Sequence, residues 1–308
     1  MELSDYKINR INNMMKNDRL AYKEKENANK PPLISNDVLE TADFTFTKFM
    51  IEREGDSGQL LLAKRKTDRS EQYLVKHAFT DCAANEFVYT KLVQAMGYHM
   101  PDAKLFRLSS GEKRPYFKTE CIIGERFLSL IDDDPSFETI QNQASNWQDL
   151  FSFYAMESMF SEGDGIEVVL AADGLLYRID TASSFAVSNL DLDYAGIDIE
   201  CQGANINNVV RNSLLSRIFE ASLNASFFDR HFKYCKEHYG DVCIEPYLQP
   251  FIRVQQISNE YIDGILNTLC YFYPDYIGDY YKKYISALQK AAACRRFFTG
   301  TVCSPRRG

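Results

Sequence analysis

Apolar residues recur along this chain with two different periods, and the change from one to the other divides it into halves. The run Phe44-Thr45-Phe46-Thr47-Lys48-Phe49 alternates with the two-residue period of a half-buried strand. Gly55-Asp56-Ser57-Gly58 signals a turn, Gln59-Leu60-Leu61-Leu62-Ala63 resumes an extended run, and Tyr73-Leu74-Val75-Lys76 makes a third strand. Then the period lengthens. Phe87, Lys91, Leu92, Ala95 and Met96 fall at helical spacing behind Thr80 or Asp81 as N-cap, with Gly97 as the stop and Pro101 just beyond. Extended runs return at 103–108 and 115–123, around the turn Ser109-Ser110-Gly111-Glu112. From about 136 the helical period dominates. Residues 146–160 carry Trp147, Leu150, Phe151, Tyr154 and Met159, and 205–298 is helical throughout, with Tyr280, Tyr284 and Leu288 on one face of the last helix. One hairpin interrupts this half, with strands 167–170 and 175–179 around Ala172-Asp173-Gly174. A polar segment, 3–28, reads as a surface helix ahead of a loop at Pro31-Pro32, and no internal repeat is visible.

This order predicts an α+β fold of two lobes, β-rich with one main helix first and helical second, with a cleft between them for a ligand. The expected divisions are an extension at 1–40, an N-lobe at 41–125, a C-lobe at 126–298 and a tail at 299–308. With 45% hydrophobic residues, 21 Phe and 19 Tyr, the chain has ample material for a core. No apolar run approaches the roughly 20 residues that cross a bilayer, and the N-terminus lacks a signal-peptide pattern. The expectation is a cytoplasmic protein, or one exported without a recognisable signal, with no membrane partner. The eight cysteines are scattered without a Cys-x-x-Cys pair, which argues for buried apolar thiols over zinc or a disulfide framework. A net charge of -8 argues against direct nucleic-acid binding. The basic residues toward the tail, Lys290, Arg295, Arg296, Arg306 and Arg307, read as a solvated terminus.

Three features point to a nucleotide. Gly55, Ser57 and Gly58 form a hairpin tip where backbone N–H groups can approach phosphates closely. Lys76 ends a strand ten residues before Glu86 on the helix; such a lysine can reach phosphates while the glutamate holds its stem. Asp180 ends the apolar strand Tyr177-Arg178-Ile179 ahead of a tight turn, a placement suited to Mg²⁺. His231 and His238 share a helix at 229–239, but their seven-residue spacing reads as surface histidines rather than a metal pair.

The stretches Tyr73-Leu74-Val75-Lys76-His77, Asn85-Glu86-Phe87-Val88-Tyr89 and Met96-Gly97-Tyr98-His99-Met100-Pro101-Asp102 resemble the N-lobe of HipA-like kinases. There a strand lysine precedes an Asn-Glu-aromatic helix that ends in a Gly-x-x-x-Pro turn. Glu120-Cys121-Ile122-Ile123-Gly124-Glu125-Arg126-Phe127 is similar to the family's hinge. The resemblance spans about 44–185. It implies a bilobal protein-kinase-like fold, ATP with Mg²⁺, and phosphorylation of Ser or Thr on a protein. It further implies Lys76 on the phosphates, Glu86 as its ion-pair partner, Asp180 on the metal, and Glu120 and Ile122 at adenine.

The catalytic loop departs from that pattern. Kinases of this type place an aspartate at the acceptor hydroxyl and an asparagine five residues later on the metal. In Phe160-Ser161-Glu162-Gly163-Asp164-Gly165-Ile166-Glu167, one register gives Glu162 and Glu167 those positions, and the other gives Asp164 and Val169. Glu162 or Asp164 is therefore the candidate proton acceptor, and Glu167 a candidate second metal ligand. Three readings stay open: a protein phosphotransferase, a pseudokinase that docks a partner, and a kinase-fold enzyme that moves AMP or phosphorylates a small molecule.

Overall fold

The computed structural model describes residues 35–49, 60–76, 80–107, 121–160, 165–182, 184–185, 225–273 and 275–293. The expected helix at 3–28, the glycine turn with Gly55, Ser57 and Gly58, the hinge residue Glu120, the loop residues Glu162 and Asp164, and the basic tail from Arg295 on lie outside them. So does the side chain of Tyr280.

In chain order, β1 (Val38–Glu40), β2 (Phe44–Lys48), β3 (Leu60–Arg65) and β4 (Gln72–Lys76) precede α1 (Thr80–Ala95), and β5 (Ala103–Arg107) and β6 (Cys121–Arg126) follow it. They form a six-stranded sheet in the order β1-β5-β6-β4-β3-β2. Only the β1–β5 pair is parallel among these described strands. The sheet takes in β1, which lies within the stretch read from sequence as an extension. The sixth strand is described at Cys121–Arg126 and so runs past the 123 read from apolar content, while 115–120 of that reading lie outside the described residues. The chain then leaves the sheet through residues 127–129.

The second half holds β7 (Leu130–Asp132), α2 (Phe137–Gln143), α3 (Asp149–Phe160), β8 (Glu167–Ala171) and β9 (Leu176–Ile179). Beyond them come α4 (Ala225–Tyr239), α5 (Ile244–Arg253), α6 (Asn259–Cys270) and α7 (Asp275–Ala293). Strands β7, β8 and β9 make a small antiparallel sheet. The molecule thus has the expected two-lobed α+β arrangement, a curled sheet with one main helix joined to a helical lobe. Among the described residues, no helix is long and apolar enough to cross a membrane.

Alternation decides the outer face of the large sheet. Phe44, Leu61, Ala63, Tyr73, Val75 and Phe106 pack there, with Phe106 edge-on to Phe44 at 5.1 Å and to Tyr73 at 5.7 Å. Gly124 is required at this contact, because a Cβ on it would come within 2.5 Å of the Phe106 ring.

Helix α1 covers the other face and packs in turn against α6, with Tyr281 of α7 bonded to its Asn85, and residues 83–93 are buried. Its apolar residues Phe87, Val88 and Leu92 stabilise the core by about 1.5–3 kcal/mol each. A helix buried all round must also satisfy its polar residues internally. Lys91 does so through Asp37 and Asp102, both at 2.8 Å, Asn85 does so toward the cleft, and Glu86 does so through one of its two oxygens. The helix ends as read from sequence. Gly97 adopts φ +82° while Tyr98 N–H donates to Val93 O and Gly97 N–H to Gln94 O.

Candidate functional site

Lys76 stands at the end of β4 and Glu86 in the second turn of α1. Its ammonium hydrogen-bonds Glu86 Oε1, lies 3.3 Å from Asp180 Oδ1, and lies 3.6 Å from Glu125 Oε2. The three residues singled out from sequence are therefore brought together, and the contact to Asp180 crosses from one lobe to the other.

Their surroundings differ. The Glu86 side chain is fully buried and that of Glu125 is 7% exposed, whereas that of Asp180 is 51% exposed. Burial opposes the charge on Lys76, but attraction from Glu125, Glu86 and Asp180 outweighs it and holds the ammonium well above its usual range. Burial pushes Glu86 up to about 8, and repulsion from Glu125 and Asp180 adds to this against the attraction of Lys76. One ammonium cannot neutralise three carboxylates, so the lysine stays charged while a buried glutamate holds its proton. Among the described residues, Glu86 Oε2 and Glu125 Oε1 are buried with no hydrogen-bond partner.

Asp180 is placed by what precedes and follows it. Its backbone is left-handed, φ +51°, a conformation Asp tolerates better than most residues. Just before it, the wholly buried Arg178 donates to the carbonyls of Gly165 at 2.7 Å and Glu167 at 2.9 Å. That guanidinium ties β9 to the chain emerging from 161–164. Just after it, Asn85 donates to Ala182 O at 2.9 Å and accepts from the Tyr281 hydroxyl at 2.5 Å. Phe185 is also left-handed, φ +68°, and sits among Phe160, Tyr281 and Tyr284 at ring distances of 5.1–5.4 Å. Its N–H donates to Phe160 O, and the Tyr284 hydroxyl donates to Met159 O at 3.0 Å. The end of α3, the turn after Asp180 and α7 are thereby locked to one another.

Glu167 is exposed at the start of β8, opposite Ile179. It lines a cavity of about 400 Å³ together with Asp133, Asp134, Tyr154 and Tyr239. Lys76, Glu86 and Asp180 are not among the described residues that line it. The backbone of Ile122 lies inside β6 opposite Phe106. The two histidines form no joint site: His231 is 3.6 Å from Glu157, and His238 contacts the Tyr234 carbonyl. Among the described residues, no group of three or more metal-ligating side chains occurs, and Cys235 and Cys243 are buried thiols outside any disulfide.

Sequence reasoning missed Glu125, Arg178 and Phe185. Two of them had a signal. Glu125 shares a strand face with Ile123, and Arg178 with Leu176, so each is a charge at a position that alternation assigns to the core. Phe185 had none, because its role depends on a bend in the chain.

No protein-family model matches the chain, and no curated protein matches it. Among solved structures, it is similar to a crystal structure of the Helicobacter pylori proinflammatory kinase CtkA, with 11% identity and a TM-score of 0.48 over 83% of this chain and 94% of that one. At this distance the likeness says nothing about what this chain binds.

Proposed function

We propose that this chain binds ATP with Mg²⁺ between its lobes and, as a phosphotransferase of HipA-like type, passes the γ-phosphoryl group to a Ser or Thr hydroxyl of a protein. The observation that carries this reading is the Lys76 ammonium, held by buried Glu86 on one side and reaching exposed Asp180 on the other. A lysine oriented in this way presents a fixed positive charge to α- and β-phosphates without first losing rotamer freedom. Asp180 suits Mg²⁺, because half of its side chain is open and it already faces positive charge. Magnesium ordinarily takes one or two carboxylates plus phosphate oxygens, and Glu167 is the second oxygen ligand in this reading. Bound Mg²⁺ supplies neutralisation of charge on the phosphoryl oxygens. Gly55, Ser57 and Gly58 offer backbone N–H groups to the phosphates, and the backbone around Glu120 and Ile122 serves adenine. Glu162 or Asp164 accepts the proton of the attacking hydroxyl.

Incubation with γ-labelled ATP and Mg²⁺ is expected to label this protein or a protein partner. Both Lys76→Ala and Asp180→Ala should reduce the label at least a hundredfold, in the range of losing an electrostatic contact to the transition state. Label that survives both substitutions overturns the assignment. One observation favours a second reading, a partner-docking module without turnover: Glu167 lines a cavity with Asp133 and Asp134 that Lys76, Glu86 and Asp180 do not line. In that case ATP raises the melting temperature and no label is transferred.

A further inference from the structure

We propose that Glu125 sets the charge requirement of the site, so that nucleotide binds tightly only together with a divalent cation. The inference rests on the nucleotide reading above and concerns a residue that reading does not use.

Glu125 lies on β6 beside β4, where Leu74 faces it and Lys76 faces Ile123. Lys76 and Glu125 are thus diagonal neighbours across two strands, a spacing that long side chains span. The carboxylate reaches to 3.6 Å from the ammonium although Glu86 already provides that ammonium with a hydrogen-bonded counter-charge. A second buried carboxylate is not needed for neutralisation and is costly to desolvate. Its Oε1 also finds no hydrogen-bond partner among the described residues, so it does not brace the sheet through that oxygen. What it does is electrostatic. Even with one buried glutamate protonated, Lys76 faces two ionised carboxylates among Glu86, Glu125 and Asp180, and the cluster carries an excess negative charge. A bare triphosphate entering beside them meets repulsion that the lysine alone does not cancel, whereas a divalent cation restores the balance.

Calorimetric titration of the full chain with Mg–ATP, with ATP in EDTA, and with adenosine tests this. In the wild type, metal-free ATP is expected to bind far more weakly than Mg–ATP. Glu125→Gln removes one charge and retains the shape. It should narrow the ratio of the two dissociation constants by about tenfold, as loss of a nearby charge in a partly screened site implies, and leave adenosine unchanged. Should that variant fail to fold, Glu125→Leu, uncharged and of similar bulk, serves in its place. An unaltered ratio in a folded variant overturns the proposal, as does a wild type that binds both forms of ATP equally. A wild type that binds neither form of ATP nor adenosine sinks the nucleotide reading itself, and the role of Glu125 with it.

Discussion

The clamp has a closed side and an open side, built on different physical terms. On the closed side, Glu86 and Glu125 are removed from water and Lys76 is held between strand and helix. Every charge there depends on another charge, since a lone ion in that environment would be costly. On the open side, Asp180 keeps half of its side chain in solvent and is held by its backbone, through Arg178 before it and Asn85 beyond it. Its carboxylate is therefore free to exchange partners. The difference teaches a division of labour: the sheet and α1 store a rigid positive charge, and the small hairpin presents an acceptor that solvent and ligand can reach.

The largest effect that would break this comparison is on stability. Lys76→Ala strands two buried carboxylates and should cost about 3–5 kcal/mol in urea unfolding at pH 8. Asp180→Ala removes a half-exposed partner and should cost under about 1 kcal/mol. Equal losses would mean that the two sides are not distinct. The next effect is steric. Gly124→Ala, one residue before Glu125, drives a methyl into the Phe106 ring and should cost about 1–3 kcal/mol, read in the same assay. An unchanged midpoint would show that β6 can shift and that the closed side is not rigid.

The last effect, read against pH, sharpens the electrostatics. Glu86 rises from 4.5 to about 8 on folding, so the folded chain binds its proton more tightly than the unfolded chain does. That contribution is fully present below about 4.5 and is lost as pH rises through about 8. The melting temperature should accordingly decline from pH 5 to pH 8 on this account, and Glu86→Gln should flatten that slope. A slope unaltered in Glu86→Gln would place the proton elsewhere in the cluster.

Much of this was legible in the chain, for reasons that are local. Alternation at 44–49 and 73–76, the Gly97 stop and the hairpin around Ala172-Asp173-Gly174 depend on residues within a few positions of one another, and the structure has them there. Strand β6 runs on to Arg126, past the 123 at which the apolar run ends, because the apolar run does not reveal which residues β5 and β4 will pair with. Lys76, Glu86 and Asp180 could be nominated because each sits at the end or start of a readable element.

What the sequence alone determined is the two-lobed order of strands and helices and the identity of the charged residues at their boundaries. Tertiary structure decided how those charges share one another. Glu125 joined the clamp because β6 lies beside β4, 49 residues away along the chain from Lys76. Arg178 became a buried tie because β9 packs on β8 and α3, and Phe185 a left-handed anchor because α3 and α7 close around it. Periodicity reports which face of an element avoids water; only packing determines which buried charge meets which.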